Sequence, residues 1–265
     1  IKNVSSNNKS NLSLKISDIY TQWETKKNQI LDRLKINEET INRILIDLYN
    51  LQEELTPEVE EKDMSLQIPH LQRDIKSFMS YFMGCVFGRY NFHRVKVIPT
   101  GKELVFSKDS LFHIDRDNVI PITDDNYFSE DIITLFDEFL VACYGKETLE
   151  ENLDFIAQAL GKKEESSRGT IRNYFVVDFY KDHLKTYQKK PIYWLYDSGK
   201  QNGFKALVYM HRYDEDTTGR VRVDYLHQVQ KAYERATANL QDDIVNSKDA
   251  KEITLAPEVS GTGQT

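Results

Sequence analysis

The stretch PIYWLYDSGKQNGFKALVYMHRY, Pro191 to Tyr213, gathers side chains that can bind an anion. From Lys181 to Arg212, seven cations (Lys181, Lys185, Lys189, Lys190, Lys200, Lys205 and Arg212) stand against Asp182 and Asp197. The whole chain carries a formal net charge of -7. Local positive charge still attracts phosphates on an acidic protein, while acidic surface elsewhere limits indiscriminate binding. Lys189, Lys190, Lys200, Lys205 and Arg212 are therefore candidate phosphate ligands. Gln201 and Asn202 sit at the tip of a turn, and such amides can pair bidentately with an adenine edge. Each feature also has an ordinary explanation. Lysines protect exposed strands from pairing, and Asn, Ser, Asp and Gly are turn residues. GRYNFHR is a second candidate, because Arg89, His93 and Arg94 leave a helical pattern together. For Arg89, a buried ion pair is the alternative.

Other chemistry finds little support. Paired acids such as Asp124 and Asp125 lack a positioned nucleophile or base. No CxxC, HxxxH or HExxH spacing occurs, and His113, His183 and His227 are expected to be polar or capping residues. Cys85 and Cys143 sit in apolar helical patterns and read as buried reduced thiols. A disulfide or a metal site with a histidine is the alternative.

The elements that position these residues follow from periodicity. Strand side chains alternate, so Ile192, Trp194 and Tyr196 face one way and Tyr193 and Leu195 the other. In the second strand, Phe204, Ala206, Val208 and Met210 alternate with Lys205, Leu207, Tyr209 and His211. Both faces are apolar, so a largely covered β-hairpin is expected. Ile171 to about Gln188 reads as a preceding helix, and Val221, Tyr225, Leu226, Val229 and Tyr233 mark a following one.

Upstream, residues 12–35 read as an amphipathic helix. A second begins at an Asn37 N-cap, the two forming an antiparallel hairpin about Ile36-Asn37. Asp47 to Asp63 holds seven acids and one lysine and reads as a solvated connector. Pro69 is placed at the start of a core helix bearing Ile75, Phe78, Met79, Phe82 and Val86, with Gly88 its stop. RVKVIP and ELVFS form a strand pair, and NVIPI is extended. Ser129 caps a helix to about Tyr144, and another runs from about Glu147 to Leu160 before Gly161. Asp109 to Asp154 carries thirteen acids against Arg116 and Lys146.

These elements give an α+β fold: a mainly helical layer with small antiparallel β-sheets or hairpins. The expected organisation is a disordered segment 1–11, a helical region with a small hairpin over 12–161, and a flexible break at 162–169. A helix–hairpin–helix region at 170–245 and a disordered tail at 246–265 complete it. With 265 residues, 40% hydrophobic and 11% aromatic, the chain can bury a sizeable core. No run approaches the roughly 18 apolar residues of a membrane span. The first residues show no apolar signal-peptide core. A cytoplasmic protein is expected, and the missing initiator Met suggests a piece of a longer one.

Four stretches in the same order resemble one family: NEETINRILIDLYNLQEELTPEVEEKD, RDIKSFMSYFMGCVFGRY, DNVIPITDDNYFSEDI and FYKDHLKTYQKKPIYWLYDSGKQNGFKALVYMHRYDEDT. They are similar to the C-terminal half of PglX, the adenine-specific DNA methyltransferases of BREX bacteriophage-defence systems. INRILIDLYNL also resembles the LYGL-type helix that follows the recognition region in related restriction-modification methyltransferases. The resemblance covers about residues 37–235. It implies methyl transfer from S-adenosylmethionine to adenine N6 in the full-length family. That chemistry needs a glycine-rich cofactor turn and an Asn/Asp-Pro-Pro-Tyr/Phe loop against a flipped base. There is no Pro-Pro in this sequence, and its glycines at 84, 88, 199 and 203 lie in helical or hairpin-turn patterns. The chain alone is therefore expected to bind no cofactor and to be inactive, with no catalytic residue carried over. The resemblance implies a target-recognition or scaffold part, with double-stranded DNA and the missing catalytic domain as partners. The competing expectation is a module that docks other defence-complex proteins. Its motivation is the acidic tract, which DNA would repel, and the amphipathic N-terminal helices.

Overall fold

The computed structural model describes residues 14–64, 66–90, 112, 115–161, 164–200 and 203–246, together with the backbone of 94–96 and 103–105. The expected disordered segments 1–11 and 246–265 lie outside these, except Asn246, which ends a helix. The fold is mainly helical with small antiparallel sheets. The chain forms two compact units. One comprises residues up to Ile114 together with Leu135–Tyr174; the other comprises Asp115–Thr134 and the chain from Phe175 onward. The units are thus interleaved in sequence.

The first unit is a helical assembly of α1 (Ile16–Tyr49), α2 (Leu71–Val86), most of α3 (Ile132–Tyr144), α4 (Leu149–Leu160) and α5 (Ser167–Asn173). Its core is the apolar face read in the sequence. Met79, Phe82 and Val86 of α2 are fully buried, as are Phe136, Phe139 and Leu140 of α3 and Leu153 and Ile156 of α4. Phe82 meets Phe136 edge-on at 4.9 Å, and Phe112 meets Phe139 at 5.5 Å. T-shaped pairs of this kind add to the area that the rings bury. Strands β1 (Arg94–Lys96) and β2 (Glu103–Val105) pair antiparallel, as expected.

Several boundaries differ from the sequence reading. The expected helical hairpin about Ile36-Asn37 is one continuous helix, α1. No Gly or Pro interrupts that stretch, and Lys35 and Glu39 pair across one turn at 3.9 Å. The modest helix penalty of Asn is then insufficient to break it. The N-terminus of α1 is tied to α4 by Asn152, which accepts from the Ile16 N–H at 2.8 Å and donates to the Leu14 carbonyl at 3.2 Å. Helix α2 starts at Leu71, capped by His70, so Pro69 lies ahead of it rather than at its first position. His70 Nδ1 accepts from the Arg73 N–H, and Asp74 accepts from the His70 N–H at 2.9 Å. At the start of α3, Asp131, not Ser129, accepts a helix N–H, that of Ile133, at 2.9 Å. Of the expected break at 162–169, residues 162 and 163 lie outside the described residues. Ser166 then caps α5 by accepting from the Gly169 N–H at 3.0 Å.

The second unit is built on a three-stranded antiparallel sheet ordered β3-β5-β4: β3 is Val119–Pro121, β4 Tyr193–Asp197 and β5 Lys205–Tyr209. NVIPI is thus an edge strand, where Pro121 needs no ladder N–H. The register pairs Trp194 with Val208 and Tyr196 with Ala206. That face packs under the C-terminal helix, made of α7 (Thr217–Arg220), a π-helical turn (Val221–Leu226) and α8 (His227–Asn246). Its Val221, Tyr225 and Val229 close over Val119, Ala206 and Val208. On the other face a second π-helical turn (Tyr174–Phe179) leads into α6 (Tyr180–Thr186). The central strand β5 is covered on both sides, which is why both of its faces are apolar.

Candidate nucleic-acid interface

The hairpin is held by its own turn chemistry. Asp197 Oδ1 accepts from the Gly199 N–H at 2.8 Å, and Ser198 Oγ accepts from the Phe204 N–H at 2.8 Å. Gly199 has φ 106°, a left-handed conformation that suits glycine. Tyr233 of α8 donates to the Gly203 carbonyl at 3.1 Å or to Asp124 at 3.0 Å. These bonds fix the base of the turn on which Lys200 stands exposed. Gln201 and Asn202 lie outside the described residues.

Lys189 and Lys190 occupy the opposite end of the hairpin. Helix α6 ends at a turn whose backbone is pinned by Lys189 N–H to Leu184 O and Lys190 N–H to Tyr187 O, both 2.9 Å. Gln188 and Lys189 adopt φ 51° and 64°. Left-handed backbone at non-glycine residues costs roughly 1–2 kcal/mol each. His183 anchors the other side of this turn. It is buried, and its Nε2 accepts from the Ile192 and Tyr193 N–H groups at 3.1 and 3.4 Å. Its ring lies 4.7 Å from that of Tyr187 and 4.8 Å from that of Tyr193. From its type alone His183 is expected to be a polar or capping residue; no spacing in the sequence reveals that it organises the hairpin entry. Lys189 and Lys190 are consequently exposed side chains on a fixed backbone.

Two of the candidate cations are engaged by the fold, Lys205 buried and Arg212 partly exposed. Lys205 is 9% exposed; its amine donates to the Val176 carbonyl at 2.8 Å and lies 3.8 Å from Asp197. It completes the packing of β5 rather than offering charge outside. The guanidinium of Arg212 donates to the Asp115 and Arg116 carbonyls at 3.0 and 2.8 Å and lies 3.6 Å from the Asp115 carboxylate. Around it forms a polar knot. Asp115 accepts from the Asn118 N–H at 2.6 Å, and Asp117 accepts from the Tyr225 hydroxyl at 2.6 Å. The side chain of Asn118 exchanges two bonds with the Tyr209 backbone, at 3.0 and 3.1 Å, extending the strand ladder. Burial pushes the Asp115 carboxyl up to about 7, reinforced by hydrogen bonding and repulsion from Asp117. Burial likewise raises the Tyr225 phenol, and Asp117 raises it further.

The sequence therefore predicted one patch, and the structure divides it. Lys200 stands at one end of β4 and Lys189 and Lys190 at the other, separated by at least the strand's own length of about 13 Å. Lys185 and Lys181 are also exposed, Lys181 lying 3.7 Å from Asp178. Within the acidic tract, Asp115 and Asp131 are buried, so part of its charge is structural. An exposed aromatic pair that no sequence spacing signals is also present: the rings of Trp194 and Tyr213 lie 5.4 Å apart.

Of the second candidate, Arg89 is half-buried in the first unit, its guanidinium 5.0 Å above the Tyr90 ring. Tyr90 in turn lies over Gly84, where a Cβ would come within 2.3 Å of the ring. Arg94 lies in β1, and its side chain is outside the described residues. Cys85 and Cys143 are free thiols; burial raises both, Cys85 to about 11. Among the described residues no helix is long and apolar enough to cross a membrane, and no three His, Cys, Asp or Glu gather as metal ligands.

No family model matches the chain. It is 50% identical over 225 residues to the adenine-specific methyltransferase PglX of Lacticaseibacillus casei (strain Zhang), across 84% of this chain and 19% of that protein. It is 35% identical over 202 residues to the adenine-specific methyltransferase BrxX of Escherichia coli O9:H4 (strain HS), across 71% of this chain and 17% of that protein. The chain spans less than a fifth of the length of these curated relatives. On this similarity it belongs, as one region, to the PglX family of adenine-specific methyltransferases.

Proposed function

We propose that this chain is the non-catalytic DNA target-recognition and scaffold region of a PglX-type, S-adenosylmethionine-dependent adenine-specific DNA methyltransferase of a BREX phage-defence system. The observation that carries the reading is the set of exposed lysines on pinned backbone at the two ends of one hairpin. Lys189 and Lys190 stand at the entry and Lys200 at the turn. Such amines can follow a phosphate backbone and fix register, while sequence is read by groups that reach base edges. Gln201 and Asn202 are retained for that second role. Arg89 and Arg94 are retained as a separate contact of the first unit. Lys205 supports the hairpin from within and contributes to DNA binding only through its fold, and Arg212, tied to the Asp115 and Arg116 carbonyls, is retained as a partly exposed contact. Adenine N6 chemistry and the cofactor belong to the part of the family that carries the glycine-rich and Pro-Pro motifs. The docking reading keeps one support, the uncovered apolar face of α1.

The test is fluorescence anisotropy of this chain with a labelled duplex across a salt series. The comparison is a variant with Lys189, Lys190 and Lys200 changed to Glu. Each lost phosphate contact removes about 0.9 from the slope of log K against log salt, so three contacts predict a fall of about 2.7. A folded chain that binds no duplex even at low salt sinks autonomous recognition. An unchanged slope in the variant moves the contact surface away from the hairpin.

A further inference from the structure

We propose that α1 pairs with α1 of a second copy of this chain as an antiparallel coiled coil. The residues of α1 repeat at alternating spacings of three and four: Tyr20, Trp23, Lys27, Ile30, Leu34, Asn37, Ile41, Ile44 and Leu48. This is the a/d pattern of a coiled coil. At its N-terminal end the stripe is already used. Tyr20 packs 6.3 Å from Phe155 of α4 and 5.5 Å from Trp23, beside the Ile16–Asn152 anchor. From Ile30 on the same stripe is largely uncovered, with Leu34 partly buried. Ile30 is 48% exposed, Ile41 54%, Ile44 60% and Leu48 68%. Over about 27 Å of helix this is a long apolar seam to leave in water. The connector after α1 does not cover it. That segment folds onto the back of the helix instead, where Asn42 donates to the Pro57 carbonyl and Glu39 accepts from the Val59 N–H.

Charge selects both the occupant and its direction. After Trp23 the helix is basic first, with Lys26, Lys27, Arg33 and Lys35 against Glu24 and Asp32. It then turns acidic, with Glu38, Glu39 and Asp47 against Arg43, and the connector adds Glu53, Glu54, Glu58, Glu60, Glu61 and Asp63 against Lys62. A parallel copy would set like charges side by side and bring the two α4-bearing ends together. An antiparallel copy sets each basic half against an acidic one and opposes the helix dipoles. The register that layers Leu34 on Ile44, Ile30 on Leu48 and Ile41 on Asn37 also sets Arg33 of each copy opposite Asp47 of the other. Asn37, the polar side chain in the seam between Ile30 and Leu48, then lies near the two-fold axis, where a polar a/d residue penalises slipped registers.

Sedimentation of the full chain up to about 200 µM, which reveals dissociation constants of tens of micromolar, tests the pairing. The expected mass rises from 31.0 kDa toward twice that value with concentration. Changing Ile41 and Ile44 to Lys is expected to abolish the rise and leave the helical circular dichroism unchanged, since both side chains are exposed. Arg33→Glu and Asp47→Arg each weaken the dimer by about three- to tenfold, and the double variant restores it. A monomer at every concentration overturns the proposal, as does a dimer that survives the Ile41 and Ile44 changes. A double variant that stays weak overturns the antiparallel register.

Discussion

The two units of this chain hold their elements in place by opposite means. In the first, the buried polar residues among those described are neutral: Thr148, Asn152 and Thr170. Its ionic contacts stay at the rim. Arg168 bridges Asp137 at 2.8 Å and Glu150 at 2.7 Å, both partly or well exposed, and Lys15 meets Glu151 at 2.8 Å. In the second, Asp115, Asp131, His183 and Lys205 are buried. Rings against rings resist compression but tolerate small shifts. Buried charged and polar groups instead demand one geometry, because a lost partner leaves a desolvated group behind. A region whose task is to present side chains at fixed points gains from the second arrangement.

That contrast can be broken by mutation, and the largest effect is expected in the first unit. Phe82→Ala removes a fully buried ring that meets Phe136 and Phe139. It should cost about 3–5 kcal/mol, by the usual sum of transfer and cavity losses. Urea denaturation followed by circular dichroism measures it, and the loss should be the same at pH 5 and pH 8.

In the second unit the sensitivity is to charge rather than to volume. Lys205→Glu reverses a buried charge beside Asp197 and is expected to cost about 3–5 kcal/mol. Lys205→Met keeps the packed stem, and its expected cost is only about 1–2 kcal/mol, the loss of the bond to the Val176 carbonyl. Equal losses in the two variants, read from the same denaturation curves, would mean that the amine is not held inside. His183→Leu comes next. It orphans the Ile192 and Tyr193 N–H groups, an expected cost of about 2–3 kcal/mol, and hydrogen exchange at those two amides should accelerate first.

These residues also mark where the sequence was legible. Alternation exposed the hairpin because β5 is central and each face meets an apolar layer. Helical periodicity exposed α2, whose stripe from Ile75 to Val86 is the core. Periodicity did not place Lys205. Alternation assigned it to a face but not to an inward-pointing amine, because the acceptor, Val176 O, is a backbone atom 29 residues away. Arg212 is similar: its partners at Asp115 and Arg116 lie about a hundred positions upstream. The missed continuity of α1 has a local cause. Asn37 before two glutamates is a good N-cap, but it is equally acceptable on an exposed helix flank when nothing else stops the chain. The split of the lysine patch could not be read from charge counts, which ignore that β4 holds its two ends apart.

The buried carboxyl offers a subtler probe. The carboxyl of Asp115 is raised to about 7 in the fold, against an ordinary value near 4, so the folded chain holds a proton that the unfolded chain releases. Its stabilising contribution is complete below about pH 4 and is lost as pH rises through 7. Asp115→Asn keeps an oxygen to accept from the Asn118 N–H but cannot titrate. The stability of the native chain relative to this variant should fall by about 1–3 kcal/mol between pH 4 and pH 8, the coupling to Asp117 spreading the transition. Chemical denaturation of both proteins across that range cancels the groups they share. A constant difference would place Asp115 in contact with solvent.

The smallest effect tests the link to function. Lys189, Lys190 and Lys200 are exposed on a backbone fixed by other residues. Changing all three to Ala should alter stability by no more than about 0.5 kcal/mol, as for surface positions elsewhere. The strained φ of Lys189 is a property of the turn, and Ala inherits it. Any loss of DNA affinity in this variant therefore reads charge alone. His183→Leu is the complement: it leaves every lysine in place and loosens the turn that carries two of them. If phosphates are met by positioned amines, both variants lose affinity, but only the lysine variant loses salt dependence in proportion to the charges removed. If His183→Leu binds as tightly as the unaltered chain, the fixed turn contributes nothing to recognition, and the lysines act only as diffuse charge.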